Sequence, residues 1–307
     1  MSREPIVVGI LHSLSGPLAE DEKPLIEAER LALEEMNRAG GLLGRRLEWV
    51  IADGGSDAAT FARRADRLIR EDNADVIIGG GPDAIRRAIV PIVEDAGHLL
   101  VFPQRHEGFE ESPAVVSLGP LPNQVVGPAL AWCRETLSAG SFFLVKGKDT
   151  WSRSAAAFAA DQITMSGSRI VDDVEVSGDD MAAVAEKIIA SDPDVVCCLL
   201  PKQPCTSLLR RMREAGVGPA DSTILLLSLD EDDIREMSLD DVTGTYVAAP
   251  YFRAVGAGPN RLPAADAGVA VTEPTGSSSG SDGGASARTL TAREAIRIWA
   301  AAVRSCG

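Results

Sequence analysis

The chain has 307 residues, of which 45 % are hydrophobic and 24 % charged, and its formal net charge is −15. That length suits two lobes or one large α/β unit rather than one small core. The acidity disfavours nucleic acid phosphates and anionic membranes as partners, and no apolar run reaches the roughly 18 residues needed to cross a bilayer.

Strand-like and helix-like segments alternate from the start. "PIVVGILHSL" is an apolar run that reads as a strand. "EKPLIEAERLALEEMNRAG" carries helical apolar spacing at Leu25, Ala28, Leu31, Leu33 and Met36 and ends at Gly40-Gly41. "RRLEWVIADGG" is a second strand, and "DAATFARRADRLIRED" a helix with Asp57 as its N-cap. "ADVIIGGG", "PDAIRRAIVPIVEDAG" and "HLLVFP" continue as strand, helix and strand.

A second series follows. Helices are expected in "NQVVGPALAWCRETLS", "SRSAAAFAADQITMSG", "DMAAVAEKIIASD", "TSLLRRMREAG" and "DEDDIREM". Strands are expected in "SFFLVKG", "RIVDDVEVS", "DVVCCLLP", "STILLLSL" and "GTYVAAPYF". Such alternation means parallel sheets with helices on both faces. The fold class is therefore α/β, with two doubly wound parallel-sheet lobes. Lobe one is expected over residues 1–119 and lobe two over 120–249, with 250–307 returning to lobe one. Within that return, 255–288 is Gly/Ser-rich and reads as a flexible linker. A last helix, "TAREAIRIWAAAVRSCG", follows, with Thr291 as its cap.

No nucleotide or metal motif appears. "GGGPDAIRR" lacks the third glycine of a dinucleotide fingerprint, and no Walker loop exists. The run reads instead as a tight turn at a strand's carboxyl end, where open α/β sheets also bind small molecules. "HSLSG" pairs His12 with Ser13, but there is no nucleophile elbow, so it reads as a hydroxyl-rich turn that caps a helix or meets a ligand. "FPQRHEGFEESP" mixes Arg105 and His106 with Glu107, Glu110 and Glu111, and reads as a solvated charged loop. "DEDDIREM" reads as an acidic first helical turn. The three histidines and five cysteines show no zinc-ligand spacing, and no cofactor is expected. Cys197 and Cys198 adjoin in a buried strand, which fits free thiols in a reducing compartment. "MSREPIVVGILHSL" shows no signal-peptide pattern, so the expected location is cytoplasmic, or periplasmic if a leader has been removed.

Several segments in order resemble one family: "GILHSLSGPLA", "EEMNRAGGLLGRRLE", "DGGSD", "RRAIVPIVE", "FEESP", "PNQ" and "APYF". Together they are similar to the amide-sensor and urea-transporter substrate-binding proteins. That group has the type I periplasmic-binding-protein fold and stands beside the branched-chain amino acid receptors. The resemblance covers roughly residues 5–252. It implies a non-catalytic clamp that closes on a small polar ligand, either as a sensor coupled to a regulator or fused output domain, or as the solute-binding component of an importer for urea, short amides or branched-chain amino acids. A homodimer is a further expectation.

Carried over position by position, the ligand residues fall on Ser13, Gly81, Pro82, Asp83, Phe102, Gln104, Asp149, Trp151, Gln203 and Ser228. The family's bulky and hydroxyl residues have become Gly81, Pro82 and Asp83, and its tyrosines have become Asp149 and Trp151 in "GKDTWSR". Two explanations stay open. The ligand has changed, with Phe102 and Trp151 as stacking walls and Asp83 or Asp149 selecting an amine; or the clamp has lost its ligand and serves as an interaction module.

Overall fold

The computed structural model describes residues 4–176, 180–218, 222–252 and 286–306. Among these residues it has two five-stranded parallel sheets. The first contains β1 (Ile6–His12), β2 (Leu47–Asp53), β3 (Val76–Gly79), β4 (Leu100–Phe102) and β5 (Val115–Ser117), in the order β2-β1-β3-β4-β5. The second contains β6 (Ser141–Lys146), β7 (Arg169–Glu175), β8 (Val195–Leu199), β9 (Thr223–Leu226) and β10 (Thr245–Val247), in the order β7-β6-β8-β9-β10. The two orders are the same when each sheet is counted from its own first strand. In both, the chain reverses direction across the sheet beside the first strand, between β1 and β3 and again between β6 and β8. A crevice opens there, outside the carboxyl ends of the strands.

Side-chain alternation along the strands fills a core on each face. In the first sheet, Ile6, Val8 and Ile10 point toward α1 (Ala19–Arg38) and α10 (Ala287–Cys306), and pack with Ile26, Leu33, Ile296 and Trp299. Leu11 and Ile77 point the other way, onto Phe61, Leu68, Ile85 and Ile89 of α2 (Ala58–Arg70) and α3 (Asp83–Asp95). In the second sheet, Phe142 and Leu144 meet α4 (Pro122–Leu137) and α5 (Thr150–Met165). Phe143 and Val145 meet α6 (Met181–Ser191) and α7 (Lys202–Glu214). Each such fully buried side chain contributes about 1.5–3 kcal/mol by leaving water.

Most expected elements form, and the departures have local causes. Asp57 does cap α2, accepting from Thr60 N at 2.8 Å. Two short helices, α8 (Glu231–Arg235) and α9 (Leu239–Val242), follow β9. Asp230 caps α8 reciprocally: its carboxylate accepts from Asp233 N at 3.2 Å while Asp233 accepts from Asp230 N at 3.1 Å. The expected cap at Thr291 is not one. Helix α10 begins at Ala287, and Thr291 Oγ1 lies inside it, donating to Ala287 O at 2.9 Å. Ala287 and Arg288, expected in the linker, are therefore helical, and the rest of the linker expectation, apart from Ser286, falls on residues outside the described ones. Strand β5 went unanticipated because it is only three residues long and follows a long charged loop.

The glycine run after β3 is a backbone requirement. Gly79, Gly80 and Gly81 all have positive φ. A Cβ on Gly79 would lie 2.1 Å from the Leu11 carbonyl oxygen. Only glycine lets β3 turn this close to β1 and deliver the N-terminus of α3 to the crevice.

Candidate functional site

The loops that follow the strands of the two sheets meet each other. Arg105, three residues beyond β4, reaches the second lobe. Its guanidinium carbon stands 4.4 Å from the centre of the Trp151 ring, and Nη1 donates to Ser228 O at 2.5 Å. Ser154 Oγ of α5 donates to the Glu107 carbonyl at 3.3 Å. At the start of α10, Arg288 pairs with Asp230 at 2.8 Å and Asp233 at 3.1 Å on the second lobe, and with Asp21 of α1 at 3.5 Å. Beside this last contact lies a pocket of about 290 Å³, lined by Asp21, Pro24, Lys202, Glu236, Arg288 and Thr289 among others. The lobes are thus bridged around a cleft.

The first-lobe wall is built from ion pairs. Arg86 is 1 % exposed and holds Asp83 at 3.1 Å, Glu110 at 3.0 Å and Glu107, while its guanidinium also covers the Phe102 ring at 5.0 Å. Asp83 also binds Arg87 at 2.6 Å. Burial raises the Asp83 pKa, but side-chain hydrogen bonds with Arg87, Glu107 and Thr150 outweigh it, and the net direction is down. Glu22 accepts from Ser13 N at 2.5 Å and from Gln104 Nε2 at 2.8 Å. His12 pairs with Glu29 at 3.0 Å rather than with Ser13, so no serine–histidine dyad exists. Burial opposes charge on His12, but attraction and hydrogen bonding from Glu29, and attraction from Glu22, raise its pKa.

The sequence-derived ligand positions therefore divide into groups. Ser13 is fully buried, and its Oγ accepts from Ser56 N at 3.2 Å, which ties the β1–α1 turn to the β2–α2 turn. Gly81 and Pro82 form the entry to α3, and Asp83 is its first residue. Phe102 is buried beneath Arg86 and His106, not open to the cleft as a stacking wall. Gln104 is fixed to Glu22. Asp149 caps α5, accepting from Ser152 N at 2.9 Å and Ser152 Oγ at 2.5 Å. Gln203 is exposed in the first turn of α7, where its carbonyl accepts from Ser207 Oγ at 3.2 Å. Trp151 and Ser228 are brought together, by Arg105.

Neither Asp83 nor Asp149 offers a free carboxylate for an amine. Arginines engage the first, and its own helix occupies the second. Arg105 was overlooked because it sits in a loop whose charges suggest solvation. The residue is indeed exposed, but its guanidinium also lies over the Trp151 ring and against Ser228 O. Desolvation against the facing lobe lowers its pKa, Asp149 counteracts this, and Arg288 adds to it. The available signal was the acidic turn "DEDD", which, with Asp21, draws Arg288 into place. Among the described residues no group of His, Cys, Asp and Glu could hold a metal ion, and no helix is long and apolar enough to cross a membrane.

The fold and the bridged cleft define a two-lobed binding protein, and comparison with known proteins agrees. A family model described as "Periplasmic binding protein domain" matches residues 6–307, and the chain belongs to that family. It is 26 % identical over 103 residues to the leucine-, isoleucine-, valine-, threonine-, and alanine-binding protein of Pseudomonas aeruginosa, covering 34 % of this chain and 27 % of that protein. Its structure resembles the branched-chain amino acid transporter substrate binding protein LivJ of Streptococcus pneumoniae in complex with isoleucine, with a TM-score of 0.79, 18 % identity, and coverage of 98 % of this chain and 84 % of that one. It also resembles an amino acid ABC transporter substrate-binding protein of Pseudomonas fluorescens, with a TM-score of 0.81, 20 % identity, and coverage of 100 % and 80 %. At these identities the structural likenesses establish the fold. The matching stretch spans about a quarter of the Pseudomonas aeruginosa protein's length.

Proposed function

We propose that this chain is the solute-binding component of an ABC-type importer, a receptor without catalytic activity that closes two lobes on a small polar molecule of amino-acid size. Lobe one comprises residues 1–119 with 250–307, and lobe two residues 120–249. The observation that carries the reading is the reach of Arg105 from the loop after β4 to Trp151 and Ser228, after β6 and β9. Loops at the carboxyl ends of parallel strands are where open α/β sheets hold ligands, and here both sheets aim such loops at one cleft. The named relatives are binding proteins for amino acids or transport, which supports a solute of that kind. The partners are then the transporter's membrane subunits, and the protein works outside the cytoplasmic membrane.

A second reading, an amide or urea sensor in the cytoplasm with a regulator or output domain, rests on "HEGFEESP" and "PNQ". Those residues have structural work here. Glu107 and Glu110 lock Arg86, and Pro122 to Gln124 open α4. A match there speaks for the scaffold more than for the ligand.

The test is a thermal-shift screen of amino acids, small organic acids, short amides and urea. A ligand at roughly 100 times its dissociation constant adds about 2.7 kcal/mol of stability. Stabilisation by amino acids or organic acids supports the importer reading. Stabilisation only by amides or urea supports the sensor. No response from any compound favours a clamp that has lost its ligand.

A further inference from the structure

We propose that Arg105, Trp151 and Ser228 form an anion anchor in the cleft, and that the ligand of this protein carries a carboxylate. The assignment rests on the receptor reading above and narrows it. A guanidinium presents several N–H donors and no acceptor. Among the described residues, Arg105 donates one hydrogen bond, to a backbone carbonyl, and ion-pairs with no carboxylate. The two residues it touches are also short of partners. Trp151 Nε1 and Ser228 Oγ are buried without a hydrogen bond, on residues each 7 % exposed. An unmet buried donor carries a desolvation penalty. Arg105 and the two residues it touches across the cleft therefore each hold an unused hydrogen-bonding group.

Acceptors are distributed the opposite way. Asp83 binds Arg86 and Arg87, Asp149 binds Ser152, Asp230 and Asp233 bind Arg288, and Glu22 binds Ser13 and Gln104. Glu107 Oε2 is unpartnered, on a carboxylate whose other oxygen pairs with Arg86. The acids near the cleft are thus already hydrogen-bonded or ion-paired within the protein, whereas Arg105 has no carboxylate partner among the described residues and retains donors that a carboxylate can accept from. Arg105 lies over the Trp151 ring with its guanidinium carbon 4.4 Å from the centroid, and it spends one N–H on Ser228 O, which leaves further N–H donors for an anion. A neutral amide supplies one carbonyl acceptor without charge, and so gains less from the guanidinium than a carboxylate does.

Isothermal titration of the full chain decides this. One series contains small amino, hydroxy and aromatic acids, L-leucine and 4-hydroxybenzoate included. The other contains uncharged counterparts, 4-hydroxybenzamide, acetamide and urea. Acids are expected to bind and the neutral series not to. Arg105→Gln is expected to weaken the acids roughly thirtyfold or more, the scale for losing one partner of a desolvated charged pair. Trp151→Phe keeps an aromatic face and removes the indole N–H, and is expected to weaken them roughly tenfold or more. Circular dichroism melts of both unliganded variants confirm that they fold, and Trp151→Phe stands as the test if Arg105→Gln does not. Binding of the neutral series, or acid binding that Arg105→Gln leaves unchanged, overturns the carboxylate assignment while the receptor stands. No binding from either series overturns the receptor reading and this assignment with it.

Discussion

The two lobes share one strand order but keep their interiors by different means. Lobe one buries ions: His12 with Glu29, Glu22 beneath Ser13, and Arg86 among three carboxylates. Lobe two buries aliphatic side chains and thiols, with Cys197 and Cys198 on β8 and Cys205 on α7. Its buried acids, Asp230, Asp233 and Asp241, lie at helix starts near its edge. Paired charges hold position through direction and polarity, and are costly when one partner goes. Apolar packing holds position through volume. The cleft thus has one wall fixed electrostatically and one fixed sterically, and perturbations should separate them.

The largest effect is expected from Arg86→Ala. It strands Glu107 and Glu110 and leaves Asp83 to Arg87 alone, and urea unfolding should report a loss of about 3–5 kcal/mol. In lobe two, Leu208→Ala should cost about 2–5 kcal/mol by leaving a cavity. Leu208 is 1 % exposed in the α6–α7 core, so this loss should not vary with pH. An Arg86→Ala loss no larger than that of an exposed arginine would break the contrast.

His12 sharpens the contrast by titration. Its pKa in the folded protein is raised above 6.5 by Glu29 and Glu22 despite the opposing effect of burial. A raised value means the folded state holds the proton more tightly. The resulting stability is complete below pH 6.5 and is lost as pH rises through the folded value. The melting temperature should fall over that window, and His12→Gln should flatten the fall. The smallest effect is expected from Asp149→Ala, about 1 kcal/mol for a lost N-cap, with the preference among ligands unchanged in titration.

The architecture was legible because alternating apolar strands and amphipathic helices encode layers directly. Leu25 and Leu33 on α1, and the unbroken "DVVCCLL" of β8, predict their own burial. Asp57 and the acidic start of α8 read correctly because caps are local chemistry. The cleft read less well. Whether Asp83 faces a ligand or an arginine depends on Arg86 and Arg87 along its helix and on the loop that supplies Glu107. What Arg105 touches depends on Trp151, which comes 46 positions later in the sequence and on the other lobe. Spacing carries periodicity, not convergence.

The cysteines give the lobes separate clocks. Cys133, Cys197, Cys198 and Cys205 are all buried in lobe two, and Cys306, at the end of α10, is exposed. Burial pushes the Cys133 thiol up to about 11 and raises Cys197 well above the usual thiol range, and the hydrogen bond with Cys198, then burial, does the same for Cys205. A thiol reagent should therefore modify Cys306 at once and the other four only when lobe two opens. With Cys306→Ser, the labelling rate becomes a measure of how often that lobe breathes, undisturbed by anything lobe one does.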